Sequence, residues 1–548
     1  MRKALLFCFL AISIGVLAQD SLLKSDLPPA AKVFDLQFTQ KEIDTLYDGV
    51  KDLHKTIRQL HALPLNNSVP MSIWQSPLVP GITVNEKQKP INWNIPLNTA
   101  LPTNINELAF YSIPQLASLI KNKKISSVAL TTFFISRIKK YADTLQCLIS
   151  LTEDLALQQA KQADAEIAAG KYRGPLHGIP YGLKDLFAVK GTKTTWGAEP
   201  YKNQVIDEDA FVYTQLKKAG AILVAKFTLG ALALGDVWYG GRTNNPWNLQ
   251  EGSSGSSAGS TAATVAGLVP FAIGTETWGS IISPSTTCGA TGLRPTFGSI
   301  SRSGAMALSW SLDKVGPICR SAEDAAIVFN YIHGTDGKDG SAVNKPFNYN
   351  TTADIKKLKI GYAKNYFARL DSSSSEWKVL DVFKKSGVQL IPVDFPDKGD
   401  DYGSNIMSIV IGAESAGAFD ELTRSNADDQ LTAQSKYDWP NQFRTSHFIS
   451  GVDYVNANRH RYLLMQQVNE VLDKFDMIIC PTWSGDQSAI TNLTGHPALC
   501  FPTGFTKNNL PVSITLIGKL YNEAALLEAA KHYQDATPWT KLHPPLFK

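Results

Sequence analysis

Two short stretches carry serines that could take part in nucleophilic catalysis. The first, from Glu251 to Ser260, reads EGSSGSSAGS and runs directly into an Ala-rich helical pattern that begins near Ser257. A Gly/Ser string is typical of a flexible linker, whereas a loop that opens a helix collects free N–H groups that favour anions. A phosphate cradle is therefore a second interpretation, although the GxxxxGK[ST] pattern of a P-loop is absent.

The second stretch, GTETWGS, ends at Ser280 after an apolar run. Small residues around a serine allow consecutive main-chain N–H groups to converge on an oxyanion. The stretch is not a nucleophile elbow, because Gly-x-Ser-x-Gly needs glycines where this chain has Trp278 and Ile282. The alternative is a tight turn in the core with Trp278 buried.

A lysine is the best candidate for the base that such a serine needs. None of the nine histidines has a recognisable catalytic context. Lys184 lies in the apolar segment GIPYGLKDLFAV, and apolar surroundings lower the pKa of an ammonium group towards a neutral amine. Ser-Lys arrangements are a known variant of nucleophile-plus-base catalysis. The residues alone leave another interpretation open, in which the neighbouring Asp185 reflects a surface ion pair.

The elements that must position these residues alternate along the chain. The pattern from Ile113 to Gly170 is helical, and strand-like apolar runs then alternate with helices. Ser321 has the sequence context of a helix N-cap. This alternation predicts an α/β fold with a sheet flanked by helices. A polar stretch over 333–357 indicates an internal boundary, and a less recognisable helical region follows at about 371–475.

The N-terminal part of the chain has its own pattern. Residues 1–18, MRKALLFCFLAISIGVLA, match a secretory signal peptide with cleavage near Ala18, so we expect an exported protein, periplasmic or extracellular. Residues 19–105 form a helical and extended wrapping segment that is expected to pack on the main body. Its helical part has apolar residues at regular spacing: Ile43, Leu46, Val50, Leu53, Ile57 and Leu60.

Composition excludes several classes of function. The 548 residues carry a formal net charge of +4, which falls to +2 without Arg2 and Lys3, and there is no basic run, so we expect no nucleic-acid partner. No CxxC or HExxH pattern indicates a metal site. The five cysteines after the leader are odd in number and scattered, which indicates buried thiols rather than a disulfide framework.

Three segments together resemble the amidase signature family. They are GPLHGIPYGLKDLFAVKG, SGSSAGSTAATVAGLVPFAIGTETWGSI, and the continuation through CGATGLRPTFGSIS and LSWSLDKVGPICRS. The resemblance covers roughly 113–335 and 476–536, and it places an amidase domain at 106–540. It implies an α/β fold with one large domain, in which helices surround a central mixed sheet.

The resemblance also assigns the site. It places the nucleophile at Ser280, a bridging serine 24 residues earlier at Ser256, and the lysine base at Lys184. It implies a cis peptide bond between Gly255 and Ser256, and it implies no cofactor and no metal. The oxyanion hole falls on the main-chain N–H groups of Thr277, Trp278, Gly279 and Ser280.

This chain departs from the common family pattern at three positions. Trp278 stands where glycine is usual, Glu276 replaces a frequent aspartate, and Ile282 stands where arginine is frequent. Main-chain donors are retained whatever side chain is attached, so the predicted triad stands. The departures put the acyl pocket in doubt, since Trp278 would narrow it or line it with an aromatic wall.

The expected function is serine-dependent hydrolysis of a linear carboxamide through an acyl-enzyme. The substrate would be a small-molecule amide, no membrane span would remain after signal cleavage, and a homodimer is possible. Two alternatives stay open at this point. One is an amidotransferase-type glutaminase subunit that releases ammonia for glutaminyl-tRNA formation, and the other is a catalytically silent member that binds a ligand.

Overall fold

The computed structural model describes residues 22–61, 63, 67–69, 73, 75–397 and 401–548. The predicted signal peptide therefore lies outside the described residues. The chain divides into two compact units, Met1–Leu65 and Asn66–Lys548, and every predicted site residue belongs to the second. Among the described residues, no helix has both the length and the hydropathy needed to cross a bilayer.

Seventeen α-helices are found in the described residues. They are α1 (Leu27–Val33), α2 (Gln40–His61), α3 (Ile113–Lys121), α4 (Ser127–Leu145), α5 (Glu153–Ala168), α6 (Phe211–Ala219), α7 (Ala258–Val265), α8 (Ile282–Cys288), α9 (Ala322–Ile332), α10 (Lys364–Phe367), α11 (Trp377–Lys385), α12 (Tyr402–Ala418), α13 (Asp420–Arg424), α14 (Trp439–Ser446), α15 (Gly451–Leu472), α16 (Gln487–Thr494) and α17 (Glu523–Asp535).

The strands of the described residues fall into one large sheet and two small ones. They are β1 (Leu148–Leu151), β2 (Pro180–Lys184), β3 (Ile222–Phe227), β4 (Val237–Trp238), β5 (Gly241–Arg242), β6 (Asn244–Asn245), β7 (Asn248–Gly252), β8 (Ala272–Glu276), β9 (Thr291–Arg294), β10 (Lys314–Cys319), β11 (Ile360–Ala363), β12 (Leu390–Val393), β13 (Met477–Pro481), β14 (Ala498–Phe505) and β15 (Pro511–Gly518).

The large sheet has eleven strands in the order β1-β3-β2-β8-β10-β9-β14-β15-β13-β11-β12. Strand β2 is parallel to both β3 and β8, and β11 is parallel to β12 and β13, while the other pairs are antiparallel. Helices cover a sheet of this kind, which is why β2, β3 and β8 are buried along their whole length. The predicted α/β fold with a mixed sheet is confirmed.

Most predicted elements are found, with one strand missed. The pattern over 113–170 indicates helices throughout, but β1 interrupts it and pairs antiparallel with β3 at the sheet edge. Four residues are too few for a clear alternation, so only the pairing with β3 reveals the strand. Ser321 caps α9 as predicted, since its hydroxyl accepts a hydrogen bond from the N–H of Asp324.

The structure tests the sequence prediction about the cysteines and leaves the packing of the N-terminal segment open. All five cysteines of the described residues are buried and unpaired, as expected: Cys147, Cys288, Cys319, Cys480 and Cys500. In α2, Leu53, Ile57 and Leu60 are exposed, and the packing of this segment on the main body stays a prediction.

Candidate active site

Two neighbouring parallel strands, β2 and β8, bring the lysine and the turn that contains Ser280 together at their carboxyl ends. Lys184 is the last residue of β2, and β8 ends at Glu276, directly before the turn that leads to Ser280. The pairing of Leu183 with Ile273 sets the register between the strands. Because the carboxyl ends of parallel strands meet at the same edge, the lysine and the turn lie side by side, where α/β proteins bind ligands.

The Lys184 amine is surrounded by hydroxyl groups. Its Nζ lies 2.7 Å from Ser256 Oγ, 2.9 Å from Thr275 Oγ1 and 3.3 Å from Ser257 Oγ. The lysine side chain is fully buried. No carboxylate contacts the amine directly among the described residues, so burial is not offset by a close ion pair.

Burial lowers the pKa of Lys184 to about 7, against the opposing influence of the Asp313 and Glu276 carboxylates. A lysine in water keeps its proton to far higher pH, because the charged form is then well solvated. At neutral pH a substantial fraction of this amine is therefore neutral, as a general base requires.

The loop before α7 aims Ser256 at this amine. The Gly255–Ser256 peptide bond is cis, as the sequence resemblance implied, and Ser254 has a φ of +61°. A side chain at Gly255 would place its Cβ 1.8 Å from the carbonyl oxygen of Gly235, so only glycine fits there. The Gly/Ser content thus permits a close approach of two backbone segments, which neither a linker nor a phosphate cradle requires.

The turn after β8 presents main-chain donors. Within the described residues, the N–H groups of residues 277–280 donate no hydrogen bond. Gly279 has a φ of +83°, and Ser280 is 8% exposed. Four successive N–H groups are therefore available beside a serine that is accessible to a small molecule, as an oxyanion hole requires.

The Glu276 carboxylate holds this turn in place. Its Oε2 accepts hydrogen bonds of 2.9 Å from the N–H groups of both Ile281 and Ile282. Its Oε1 lies 2.9 Å from Arg294 Nη1 and accepts from Asn492 Nδ2. Burial raises the pKa of Glu276, but Arg294 and the backbone donors outweigh it and hold that pKa below its usual range.

Three further residues contact the predicted site, and sequence reasoning missed them. Thr275 and Ser257 touch the lysine amine, and the Oγ1 of Thr277 donates to Asp313 Oδ1 at 2.6 Å. Asp313 is nearly buried and also accepts from the N–H of Ser309. Asp313 lies in the quoted segment LSWSLDKVGP, but nothing in its spacing relates it to residue 277.

A cavity of about 300 Å³ adjoins this side of the site. Thr275, Thr277 and Asp313 line it on one side, and Leu186 and Met306 contribute apolar surface. The cavity therefore lies against β8, whose Thr275 contacts the Lys184 amine, and it has room for part of a small organic molecule.

A family model described as Amidase matches residues 129–487, well over half of the chain. This chain belongs to the amidase family. A glutamyl-tRNA(Gln) amidotransferase subunit of Coxiella burnetii is 35% identical over 485 residues, which cover 79% of this chain and 99% of that relative. The corresponding protein from Acinetobacter baumannii is 34% identical over 483 residues, covering 79% and 98%.

Solved structures of similar proteins share the fold. A peptide amidase from Stenotrophomonas maltophilia superimposes with a TM-score of 0.71 at 26% identity, covering 81% of this amidase-family chain and 100% of that chain. The glutamyl-tRNA(Gln) amidotransferase subunit from Thermotoga maritima has a TM-score of 0.65 at 24% identity, covering 79% and 96%. The sheet described above is therefore the amidase signature fold.

Two alternatives from the sequence are wrong for this amidase-family chain. Asp185 forms no surface ion pair, because its carboxylate is buried 2.9 Å from the buried Lys226 Nζ and accepts from the N–H of Thr195. Trp278 is not a buried core residue, since 40% of it is exposed. Burial depends on what packs over a residue, and adjacent residue types do not reveal that.

Proposed function

We propose that this chain hydrolyses the C–N bond of a small linear carboxamide through an acyl-enzyme. Neutral Lys184 accepts a proton from the hydroxyl of Ser256, which takes one from Ser280 as its oxygen attacks the carbonyl carbon. The N–H groups of residues 277–280 stabilise the oxyanion, and the amine leaves with the relayed proton. Water then attacks the ester of Ser280, releases the acid and restores the serine, with no metal or cofactor.

One observation carries the proposal. A buried lysine with a pKa near 7 lies 2.7 Å from the hydroxyl of Ser256, beside the turn that ends at Ser280 and whose four N–H groups are unoccupied within the described residues. A binding protein would gain nothing from a buried amine whose charged form is disfavoured, because desolvating such a group costs stability. Catalysis explains the arrangement, since a base must be neutral at working pH.

Covalent labelling tests the nucleophile. We expect a fluorophosphonate probe to modify the purified full chain at Ser280, located by peptide mass spectrometry, and Ser280→Ala to abolish the labelling. Ser254→Ala is the matched control, because this serine lies in the same loop as Ser256 and, among the described residues, its hydroxyl contacts only that of Ser283. A wild-type chain that is never labelled between pH 6 and 9 would support the alternative of a silent, ligand-binding member.

A second function has a specific observation in its favour. Relatives at 34–35% identity that are matched over nearly their whole length are named as glutamyl-tRNA(Gln) amidotransferase subunits. We expect a simple amidase to release amine or ammonia from aliphatic and aromatic amides on its own. An amidotransferase subunit would prefer glutamine and would need a partner. Ammonia release from an amide library that includes glutamine, measured on the isolated chain, separates the two.

We also propose that the chain is exported, on the basis of residues 1–18 alone. Fractionation of the producing cells, followed by N-terminal sequencing, should find the protein outside the cytosol with Gln19 as its first residue. Recovery of the uncleaved chain from the cytosol would contradict export and would favour the amidotransferase alternative.

A further inference from the structure

Helix α2, in the unit Met1–Leu65, carries an apolar stripe that the proposed chemistry does not use. Six residues repeat at alternating spacings of three and four, which is the a and d pattern of a heptad. Every a position has a β-branched residue and every d position has leucine. In order along the helix, they are Ile43, Leu46, Val50, Leu53, Ile57 and Leu60.

The two halves of this stripe differ in burial. At its start, α1 packs against α2, and Leu27, Ala31 and Ile43 are buried. Further along, Leu53 is 57% exposed and Leu60 is 62% exposed. Removing apolar side chains of this size from water is favourable, so the C-terminal half of the stripe would be stabilised by a partner.

We propose that α2 pairs with α2 of a second copy of this chain, as a parallel, in-register two-stranded coiled coil. The residue types select this occupant, because β-branched residues at a with leucine at d favour two parallel strands. The seam runs from Leu46 to Leu60, beyond the part that α1 covers. It spans only about two heptads, so we expect a weak dimer that dissociates on dilution.

The charges of α2 suit an identical partner. The positions that flank the seam, e and g, carry almost no charge: Glu42, Tyr47, Gly49, His54 and Thr56. In a parallel pair each g residue faces the e residue five positions later on the other helix, so Glu42 faces a tyrosine and Gly49 faces a histidine. No pair of like charges therefore opposes self-association.

A membrane surface fits α2 less well. Helices that lie on anionic bilayers have a basic polar face. The polar face of α2 has four basic and four acidic residues and no net charge: Lys41, Lys51, Lys55, Arg58, Glu42, Asp44, Asp48 and Asp52. Electrostatic attraction to lipid is thus absent, and a second helix is the better occupant.

Sedimentation velocity of the full chain over about 1–100 µM tests the dimer. We expect a monomer–dimer equilibrium that the double variant Leu53→Glu, Leu60→Glu weakens at least about tenfold. Lys55→Glu is the matched control, because it adds the same charge on the outward face. At a concentration where all three chains are monomers, thermal unfolding should be unchanged in both variants, since these side chains are exposed in the monomer. A monomer at every concentration, or a dimer that the double variant leaves intact, overturns the proposal.

Cysteine crosslinking tests the orientation. In a full chain with Cys8→Ser, the five remaining cysteines are buried, so an introduced Val50→Cys is the accessible thiol. A parallel seam places the two copies of residue 50 opposite each other, and mild oxidation should give a crosslinked dimer. Lys55→Cys should give none. Absence of the Val50→Cys crosslink in a chain that dimerises overturns the parallel register.

Vesicle sedimentation tests the rival occupant. Vesicles of phosphatidylcholine with phosphatidylglycerol should leave the wild-type chain in the supernatant. Binding that the Leu53→Glu, Leu60→Glu variant loses would show that a lipid surface covers the stripe, which overturns the proposal. The readouts of all three experiments are independent of amide hydrolysis, so their failure leaves the proposed function untouched.

Discussion

At the scale of single residues, the environment of Lys184 decides whether the proposed chemistry is available at neutral pH. Burial disfavours its charged form, and the hydroxyls of Ser256 and Thr275 solvate the amine without supplying a counter-charge. The carboxylates of Asp313 and Glu276 are near enough to oppose the shift and too far to form ion pairs with the lysine. A pKa near 7 is the result of this balance.

This balance predicts the pH dependence of activity. Only the neutral amine accepts a proton, so kcat/KM should rise with pH, reach half its maximum near the Lys184 pKa of about 7, and then level off. Lys184→Ala should lower kcat/KM by about 10²–10⁴-fold, while the exposed-lysine control Lys190→Ala should leave it unchanged. A pH profile that is flat between 5 and 9 would contradict the role of this lysine.

At this scale we also expect Trp278 to influence the preference among substrates. Trp278 is 40% exposed, and it lies in the turn whose main-chain N–H groups we propose to stabilise the oxyanion. Trp278→Ala should raise KM for amides with an aromatic acyl group by about 2- to 12-fold, since losing an aromatic contact costs about 0.5–1.5 kcal/mol, and should change acetamide little because the main-chain N–H remains. The exposed Trp483→Ala is the control. Equal effects on both amides would remove Trp278 from the acyl pocket.

At the scale of elements, the site depends on two turns. One follows β8, and the other comes shortly before α7. One is fixed by the Glu276 carboxylate, which bonds the start of α8, and the other by the contact of Gly255 with Gly235. Both turns are positioned by groups outside the proposed triad. Their disruption should therefore lower stability and activity together.

Glu276→Gln tests the first turn. The substitution leaves the buried Arg294 guanidinium without its carboxylate, and breaking a buried ion pair costs about 3–5 kcal/mol. We expect a loss of this size in chemical denaturation, with a loss of fluorophosphonate labelling. Glu251→Gln, at an exposed position of β7, should change neither. A Glu276→Gln chain of full stability would show that the pair is not needed.

Gly255→Ala tests the second turn. Its Cβ would lie 1.8 Å from the Gly235 carbonyl oxygen, so one backbone segment must move and displace Ser256. We expect a lower Tm and little residual labelling of Ser280. Gly504→Ala is the control, because a Cβ there meets nothing within 4 Å. Normal labelling in Gly255→Ala would mean that the loop adapts without cost.

At the scale of the whole molecule, the chain divides at residues 65 and 66, and the larger unit contains the eleven-stranded sheet with all site residues. The family model also lies entirely within this unit. The smaller unit contains α1 and α2, and we propose that it mediates self-association.

Removal of residues 1–65 tests this division. We expect the chain 66–548 to fold, to be labelled at Ser280 at the wild-type rate, and to remain monomeric at about 100 µM. Circular dichroism, probe kinetics and sedimentation measure the three properties. A truncated chain that folds but loses labelling would show that the smaller unit contributes to the site, and one that still dimerises would place the interface elsewhere.

Local sequence determined much of this protein. The strands β2, β3 and β8 are continuous apolar runs because both faces of the sheet are covered, and such runs are visible without a structure. The proposed assignments of Ser256, Ser280 and Lys184 followed from the resemblance of three segments to the amidase signature family, and so did the cis bond after Gly255.

Tertiary structure alone decided the rest. Lys184 and Thr275 are 91 residues apart and meet only because β2 and β8 are neighbours. Strand β1 exists through its pairing with β3, and its four residues carry too little pattern to predict it. The burial of Asp185 and the exposure of Trp278 depend on which distant segments pack over them. Contacts of this kind are a property of the folded chain, whereas periodicity and motif order are properties of neighbouring residues.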